Sequence, residues 1–245
     1  MNNNNKISVI TVTKNSEKYL EENIQSLSSQ TYKNFEHIII DGGSTDRTIE
    51  IIKKNSDKIT KWISEPDDGL YFAMNKGINL CQGDIIGILN SDDFYYPEAL
   101  NIVNQYFLKN KNLDFLFGSV HKYKLMHGYS PQKIKWTFGF YTTHSVGFFI
   151  KKSSQLSLGF YDTQYKYSAD YDLFYKMIVK KKMLGISTRK EEVLGKFRSG
   201  GLSSRIKYLD FLKENNRIRI NNGQNVFFVY LIFILRLIKN FKNIF

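Results

Sequence analysis

The stretch from Gly83 to Pro97 reads GDIIGILNSDDFYYP, and it decides the fold prediction. Apolar β-forming residues from Ile85 to Leu89 stop abruptly at Asn90, and a polar cluster follows that ends in Asp92 and Asp93. A continuous apolar run between a glycine and a polar cluster is typical of a strand that is buried on both faces. Two adjacent carboxylates are costly to hold together unless a cation or a hydrogen-bond network takes up their charge. The stretch alone therefore fits either a metal site or an exposed turn.

The composition suits one large globular domain. The chain has 245 residues and is rich in aromatic residues, so it can bury a sizeable core and is not disordered. Cys81 is the single cysteine; it can form no internal disulfide, and its place on the apolar side of a predicted helix makes it a core residue. The start, MNNNNKISV, lacks the features of a cleaved signal peptide. We therefore expect a cytoplasmic location.

The net charge of +12 is unevenly distributed. Residues 205–245 contain eight Lys or Arg and only two Asp or Glu, beside a strongly apolar segment. Basic residues next to apolar bulk suit an anionic membrane surface better than a nucleic-acid duplex. We therefore expect no nucleic-acid partner.

Three further strands are predicted before the opening stretch. They are Ile7 to Val12, Phe35 to Ile40, and a short strand around Trp62 and Ile63. Helices are predicted between the strands, with Ser16 as a candidate cap for the first and Thr45 or Asp46 for the second. This alternation at this spacing predicts right-handed βαβ units and a parallel sheet.

All four predicted strands end in polar clusters, which are Thr13 to Asn15, Asp41 to Asp46, Glu65 to Gly69, and Asn90 to Asp93. The carboxyl ends of parallel strands meet at one edge of a sheet, and open α/β sheets bind their ligands there. We therefore expect a ligand site where the four clusters converge.

The chemistry of that edge points to a divalent cation. No GxGxxG or Walker pattern follows the first strand, so neither a dinucleotide cradle nor a P-loop is indicated. An acidic edge repels phosphate unless a cation lies between them. Adjacent oxygen donors in a chain with four His and one Cys favour Mg²⁺ or Mn²⁺ over zinc. A nucleotide diphosphate bridged by such a metal fits these constraints.

The second half is less patterned. One strand is predicted from Leu113 to Val120 and another from Val146 to Ile150, followed by a helix that opens near Asp170 and Asp172. An aspartate at a helix start can cap the first N–H groups or act as a general base, and two aspartates allow both. His144 fits either a position facing an acceptor or a packed position beside aromatic residues.

Three segments together resemble family 2 glycosyltransferases of the GT-A fold. They read ISVITVTKNSEKYLEENIQSLSSQTYKNFEHIIIDGGSTDRT, ISEPDDGLYFAMNKG and GDIIGILNSDDFYYP. The nearest likeness is to enzymes that build bacterial colanic acid, capsule and O-antigen, and it covers roughly Ile7 to Ser204. It implies an α/β, Rossmann-like fold with a mostly parallel central sheet.

The resemblance also implies roles for individual residues. Asp93 would ligate the metal with help from Asp92, and Asp170 would be the catalytic base, with Asp172 nearer the cap. Ala169 stands where the family usually has a glutamate beside the base. The residues that the resemblance places around the nucleotide sugar are Thr11, Thr13, Asn15, Asp41, Asp67, Asn75, Lys76, Ser91, Asp92 and Arg198.

The expected function is inverting transfer of a sugar from a nucleotide-diphosphate sugar to an acceptor hydroxyl in bacterial surface polysaccharide synthesis. The resemblance implies a metal-dependent enzyme, a UDP-sugar as donor and a saccharide acceptor that is lipid-linked in some cases. The Gln-x-x-Arg-Trp pattern of processive polymerases is absent, so we expect one sugar per encounter. Two alternatives stay open: a nucleotidyltransferase-like nucleotide-sugar enzyme, and a non-catalytic membrane-associated module of the same fold.

Residues 205–245 are predicted to form a helical extension after a catalytic domain of residues 1–204. Ten consecutive apolar residues from Val226 to Leu235 fall short of the ~20 needed to span a bilayer. The segment could pack on the catalytic domain, join a homodimer, or lie on the cytoplasmic face of the inner membrane. We favour the membrane, with Arg236, Lys239 and Lys242 at the lipid headgroups.

Overall fold

A computed structural model describes residues 4–136, 141–198, 200 and 206–240. The strands are β1 (Ile7–Thr13), β2 (Phe35–Asp41), β3 (Lys61–Ser64), β4 (Ile85–Ile88), β5 (Phe94–Tyr95), β6 (Phe115–Phe117), β7 (Ser119–His121), β8 (Leu125–Met126), β9 (Phe148–Lys151), β10 (Gly185–Ser187) and β11 (Val193–Lys196). The helices are α1 (Leu20–Ser28), α2 (Thr48–Lys54), α3 (Leu70–Leu80), α4 (Ala99–Lys109), α5 (Lys152–Leu158), α6 (Ala169–Tyr175), α7 (Tyr208–Asn221) and α8 (Val226–Lys239).

The central sheet has seven strands in the order β10-β6-β9-β4-β1-β2-β3. β1 pairs in parallel with β2 and β4, and β2 pairs in parallel with β3, which confirms the predicted arrangement of the first four strands. β9 runs antiparallel to both β4 and β6, so the sheet is mixed although mostly parallel. The ends of β1 to β4 therefore lie along one edge, where the polar clusters were expected to meet.

The prediction of one strand from Leu113 to Val120 is wrong. The chain leaves the central sheet after β6 and enters a second sheet at β7, whose order is β5-β11-β7-β8. Gly118 lies at the crossing, and a Cβ built there would be only 2.0 Å from Cδ1 of Leu194. The residues on both sides are buried, so the hydrophobic pattern does not show that the chain changes sheets here.

Helices cover both faces of the central sheet. In β1, Ile10 and Val12 face the apolar cluster that contains α3 and α6, whereas Ile7 and Val9 face the cluster that contains α4. Apolar residues of β1 therefore pack on both faces of the sheet, as expected of a strand that is buried on both sides. Cys81 is 4% exposed and burial raises the pKa of its thiol to about 12, as expected of a core residue rather than a nucleophile.

α7 packs against the α/β fold. Ile218 is fully buried in the cluster that also holds residues of α3 and α6. The Glu214 carboxylate accepts the backbone N–H groups of Lys166 at 2.8 Å and Tyr167 at 2.7 Å. Apolar burial and charge-assisted hydrogen bonds therefore hold α7 beside the segment that leads into α6.

α8 packs on α7 but keeps one apolar face exposed. Val229 and Ile232 are buried, whereas Phe227 is 78% exposed and Ile238 is 69% exposed. Tyr230, Leu231, Ile234 and Leu235 are also largely exposed. Among the residues that the structure describes, no helix has the length and apolar character that crossing a bilayer requires. Arg205 and Lys242 lie outside the described residues.

One predicted helix cap is wrong. α1 begins at Leu20, and the Ser16 hydroxyl lies 2.8 Å from the Ser91 hydroxyl instead of capping the helix. Of the two candidates for α2, Asp46 accepts the N–H of Thr48 at 3.0 Å. Ser16 is therefore a link between the ends of β1 and β4.

Candidate active site

The loops that follow β1 to β4 meet at the carboxyl edge of the central sheet. The Gly42 N–H donates to the Thr13 carbonyl at 2.9 Å, which joins the β1 and β2 loops. The hydroxyls of Ser16 and Ser91 join the β1 and β4 loops. Asn15, exposed and in the left-handed region with φ 51°, accepts the N–H of Thr45 at 2.9 Å through its side chain. The predicted convergence is therefore present.

Asp41 holds the loop after β2 together. Its carboxylate is fully buried, and Oδ2 accepts the N–H groups of Gly43 and Ser44 at 3.0 and 2.9 Å. The Ser64 hydroxyl at the end of β3 donates to the same oxygen at 2.7 Å, and the Ser44 hydroxyl donates to Oδ1 at 2.5 Å. Both oxygens therefore already accept hydrogen bonds that order the loops beside the predicted nucleotide site.

Asp67 lies over the start of the β2 loop. Its Oδ1 accepts the N–H of Gly69 at 3.1 Å. A Cβ built on Gly42 would be 2.6 Å from Asp67 Oδ2, so only glycine lets the carboxylate come this close. The structure thus brings Asp67 next to the ends of β1 and β2.

Asp93 is a buried carboxylate of this edge with one oxygen that lacks a hydrogen-bond partner in the described part of the chain. It is 1% exposed, and Oδ1 accepts the backbone N–H of Arg198 at 2.8 Å. Oδ2 is buried and has no hydrogen-bond partner among the described residues. Burial, and after it the charge of Asp92, raise the pKa of Asp93 to about 7, and burial also raises the pKa of Asp92. Keeping both carboxylates ionised therefore costs free energy that a bound cation would offset.

These residues fit a hard divalent cation. An unsatisfied buried carboxylate oxygen beside a second carboxylate is a donor set that Mg²⁺ and Mn²⁺ prefer. Across the described ranges, no three His, Cys, Asp or Glu side chains cluster closely enough to hold a metal by themselves. A cation held by Asp92 and Asp93 would therefore need further oxygen ligands from a diphosphate or from water.

Arg198 is fixed between α1 and β5. Its guanidinium donates to Glu22 at 2.6 Å and lies 4.5 Å from the ring centroid of Tyr19 and 5.3 Å from that of Phe94. The place beside the nucleotide sugar that the resemblance implies for Arg198 would require the guanidinium to share its charge with Glu22. Its backbone N–H, in contrast, already contacts the proposed metal ligand Asp93.

Thr11 lies inside β1 rather than in the loop. It is fully buried, and its hydroxyl is 3.0 Å from Nε2 of His37 and 3.3 Å from Oδ1 of Asn23. These contacts leave the side chain no surface that a ligand could touch. Thr11 therefore helps to hold this edge of the sheet through its contacts with His37 and Asn23.

Asn75 and Lys76 both have partners within the protein. The Asn75 side chain exchanges two hydrogen bonds of 2.9 Å with the backbone of Tyr161. Lys76 forms an ion pair of 2.7 Å with Glu65, at the end of β3. These contacts join α3 to the loops on both sides of the site.

Asp170 is half-buried at the start of α6. Its Oδ1 accepts the Tyr71 hydroxyl at 3.1 Å and the Tyr171 N–H at 2.9 Å, and its Oδ2 accepts the Tyr141 hydroxyl at 3.1 Å. Tyr71 belongs to α3, directly after the loop that carries Asp67. The predicted base is thus connected to the donor-side loops through one helix.

Asp172 has a different role, and the expectation that it lies nearer the cap is wrong. It is 2% exposed and accepts Lys176 Nζ at 2.6 Å and Asn222 Nδ2 at 2.7 Å. Asp170, not Asp172, accepts an N–H of the first helical turn. Asp172 therefore joins α6 to the residue that follows α7.

His144 is packed among aromatic side chains. Its Nε2 lies 2.6 Å from the Tyr161 hydroxyl, and its ring stacks on Phe148 with centroids 6.0 Å apart. Burial lowers the pKa of His144, so the imidazole is neutral at pH 7. Of the two positions considered for His144, the structure shows the packed one beside aromatic residues.

Sequence reasoning missed three residues that shape the site. Asn23 donates to the carbonyls of Asn90 and Asp93 at 2.9 and 3.0 Å, and its place on the apolar face of α1 was a signal that a polar group is buried there. Tyr71 and Tyr141 carry no such signal, because only the folded chain brings them to Asp170.

Several known proteins are similar to this chain in sequence. Residues 8–167 match the family model described as glycosyl transferase family 2. An uncharacterized glycosyltransferase of Methanocaldococcus jannaschii is 30% identical over 223 residues, which cover 85% of this chain and 74% of that protein. One from Rickettsia typhi is 33% identical, covering 70% of this chain and 58% of its own length. The chondroitin synthase of Pasteurella multocida is 27% identical, covering 89% of this chain and 23% of its own length.

Solved structures share the fold. A mannosyltransferase of Pyrobaculum calidifontis, determined with GDP-Man and Mn²⁺, is similar at a TM-score of 0.69 and 16% identity, covering 99% of this chain and 72% of that one. S. aureus TarS (residues 1–349), determined with UDP-GlcNAc, is similar at 0.68 and 18% identity, covering 96% and 73%. At these identities the likeness shows the fold alone, and it confirms the GT-A expectation. The family model and the relatives decide the assignment: the chain belongs to glycosyltransferase family 2.

Proposed function

We propose that this chain is an inverting, non-processive glycosyltransferase that moves one sugar per encounter from a nucleotide-diphosphate sugar to an acceptor hydroxyl. The observation that carries the proposal is the buried Asp93 carboxylate, which has an oxygen that no described residue satisfies and lies beside Asp92. A metal-bridged diphosphate would satisfy that oxygen and offset the repulsion of the pair.

The proposed chemistry is a direct displacement. Asp170 accepts the proton of the acceptor hydroxyl, and the oxygen forms a bond to the anomeric carbon from the side opposite the diphosphate. The bond between that carbon and the diphosphate oxygen breaks, and its electron pair leaves with the diphosphate. Attack from the opposite side inverts the configuration at the anomeric carbon.

A bound Mn²⁺ or Mg²⁺ would supply positive charge that stabilises the departing diphosphate. Asp93 and Asp92 would hold it, and the residues assigned to the donor side are Thr13, Asn15, Asp41, Asp67 and Ser91. Arg198 orients Asp93 through its backbone N–H, while Thr11, Asn75 and Lys76 support the loops that carry these groups.

We further propose a UDP-sugar as donor and a saccharide acceptor, lipid-linked in the cell, for synthesis of a bacterial surface polysaccharide. The names of two relatives, the chondroitin synthase and the hyaluronan synthase of Pasteurella multocida, support a saccharide acceptor. The UDP-GlcNAc complex of TarS supports the uridine nucleotide. The chain spans about a quarter of those two synthases, so their whole activities are not carried over.

Thermal denaturation with UDP, GDP, UDP-GlcNAc and GDP-Man, each with Mn²⁺ or with a chelator, tests the donor site. We expect a nucleotide to raise the midpoint only when Mn²⁺ is present, because a ligand that binds the folded state alone stabilises it. Asp93→Asn should abolish the increase. Asp57→Asn, which changes an exposed aspartate of the short helix Ser56–Lys58, is the matched control and should retain it.

Asp170→Asn separates binding from transfer. This variant should keep the Mn²⁺-dependent increase in the midpoint and lose sugar transfer, since the amide cannot accept the proton. An increase that needs no metal and persists in Asp93→Asn would contradict the metal-bridged donor. Transfer retained by Asp170→Asn would place the base elsewhere.

We also propose that the protein binds the cytoplasmic face of the inner membrane through the exposed apolar face of α8. Phe227 and Ile238 mark the two ends of that face. The exposed cations Lys213 of α7, Lys239 of α8 and Lys207 just before α7 complement anionic headgroups. Apolar area and positive charge on one helical pair are the features of an interfacial helix.

Co-sedimentation with vesicles of phosphatidylglycerol and phosphatidylethanolamine tests this proposal. Binding should weaken when salt rises and be lost in the double variant Phe227→Asp/Ile238→Asp. Leu156→Asp, at an exposed apolar position of α5, is the control that should still bind. A doubled mass in ultracentrifugation without vesicle binding would overturn the membrane proposal and assign the face to a homodimer.

A further inference from the structure

The two oxygens of the Asp170 carboxylate have different surroundings. Oδ1 accepts both the Tyr71 hydroxyl and the Tyr171 N–H, whereas Oδ2 accepts the Tyr141 hydroxyl. A carboxylate oxygen can accept about two hydrogen bonds, so those two donors fill Oδ1. Oδ2, with one of these donors, retains the capacity to accept a proton from a ligand.

The tyrosine rings are held tightly. Tyr71 is 6% exposed and lies 5.6 Å from the Tyr161 ring, measured between centroids. The ring of Tyr141 lies 5.5 Å from Phe117 and 4.9 Å from Phe174. Packing therefore fixes where each hydroxyl points, independently of Asp170.

Both hydroxyls carry their protons at neutral pH. Burial, and after it the charge of Asp170, raise the pKa of Tyr71 and of Tyr141 well above the ordinary value. Each tyrosine is therefore a hydrogen-bond donor to the carboxylate and stabilises its charged form.

We propose that Tyr71 and Tyr141 are positioning residues for the catalytic base, and that Asp170 Oδ2 is the atom that takes the acceptor proton. Tyr71 and the Tyr171 N–H anchor Oδ1, so the carboxylate does not rotate. Tyr141 donates to Oδ2 and leaves this oxygen able to accept the hydrogen bond of the acceptor hydroxyl. This inference rests on the proposed function, in which Asp170 is the base.

The position of Tyr71 adds a link between the two halves of the site. It lies in the first turn of α3, which begins directly after Gly69 in the loop of Asp67. Its hydroxyl is also 3.2 Å from the carbonyl of Tyr167, just before α6. A displacement of the donor-side loop would therefore move the hydroxyl that orients the base.

The test follows the carboxyl carbon of Asp170 by ¹³C NMR in protein labelled at aspartate carboxyl groups. The signal is assigned by its absence in Asp170→Asn. We expect Tyr71→Phe and Tyr141→Phe each to change the chemical shift of this signal at one fixed pH, because the carboxylate loses one hydrogen bond. Phenylalanine keeps the ring packing and removes only the hydroxyl.

Tyr129→Phe is the matched control. Tyr129 stacks on Phe117, which also contacts Tyr141, but its hydroxyl makes no hydrogen bond to Asp170 among the contacts of the described residues. Its removal should leave the carboxyl signal of Asp170 unchanged. An unchanged signal in both Tyr71→Phe and Tyr141→Phe, or an equal change in Tyr129→Phe, would overturn the inference.

Kinetics with an active donor and acceptor pair give the second readout. Tyr71→Phe should lower kcat several-fold with little change in the acceptor KM, because orientation rather than binding is lost. Asp170→Asn should remove transfer altogether. If Asp170→Asn stays active, the proposed base is wrong. If it is inactive while Tyr71→Phe keeps a normal kcat and an unchanged Asp170 signal, only the positioning role is wrong.

Discussion

His37 is a buried titratable side chain in the middle of β2. It is fully buried, its Nε2 lies 3.0 Å from the Thr11 hydroxyl, and burial lowers its pKa to about 3. The unfolded chain would hold the imidazole near its ordinary pKa of 6.5. Between these values the unfolded state binds one proton more than the folded state, so stability rises with pH and is fully present above about 6.5.

We therefore predict that the free energy of unfolding falls by about 2 kcal/mol between pH 7 and pH 5 through this residue alone. His37→Gln should remove that part of the pH dependence, while its amide can still contact Thr11. Urea unfolding at the two pH values measures the difference.

The matched control is His127→Gln, at an exposed position. It should leave the loss of stability between pH 7 and pH 5 as large as in the unchanged protein. An equal loss in His37→Gln would show that other groups cause the acid sensitivity.

At the residue scale, the sequence predicted which carboxylates belong to the candidate site but not which residues donate hydrogen bonds to them. Asp92 and Asp93 stand out because they adjoin each other at a strand end, and Asp170 stands at a helix start. The hydroxyls that hold Asp170 come from residues 99 and 29 positions away. No local pattern encodes such contacts, since side-chain packing between distant segments creates them.

Among the elements, the junction of β6 and β7 decides how the second sheet meets the first. Gly118 passes close to Leu194 of β11, which is fully buried. The Gly118 N–H donates to the Gly147 carbonyl at 2.7 Å, just before β9. A side chain at position 118 would therefore push against β11. This strand leads to Arg198, whose backbone N–H donates to Asp93.

Gly118→Ala should lower the free energy of unfolding by about 1–3 kcal/mol, because the added methyl group overpacks the junction. Leu194→Ala should cost about 2–5 kcal/mol through the cavity it leaves. The double variant should cost less than the sum, since the new cavity accepts the methyl group. Denaturant unfolding of the four proteins measures the coupling, and additive costs would contradict the overlap.

The elements of the first half were predictable and this junction was not. β1 to β4 show apolar runs that end in polar clusters, so their positions and parallel pairing follow from pattern and spacing. The residues on both sides of Gly118, from Phe115 to Val120, are all buried, although they enter two different sheets. Periodicity does not record which sheet a residue enters.

At the scale of the whole molecule, α7 shares the core of the catalytic fold. Ile218 is fully buried in the cluster that includes Met74 and Phe174. Asn222 and Glu214 add hydrogen bonds to α6 and to the segment before it. We therefore expect α7 and the central sheet to unfold together.

Ile218→Ala should lower the global free energy of unfolding by about 2–5 kcal/mol, as for other buried large-to-small changes. Ile220→Ala, at a half-buried position of the same helix, is the control and should cost clearly less. Circular dichroism and tyrosine fluorescence should report one transition in both variants. A separate early transition in Ile218→Ala would show that α7 is an independent appendage.

The antiparallel place of β9 between β4 and β6 has a consequence for synthesis on the ribosome. β1 to β4 emerge first and can assemble with α1, α2 and α3, but the outer edge of β4 has its partner only when Phe148–Lys151 has left the exit tunnel. Until then the nascent chain exposes a row of unpaired N–H and C=O groups on an apolar strand, which invites pairing with other chains. The pace of translation between β4 and β9 should therefore govern how much of the protein matures and how much aggregates.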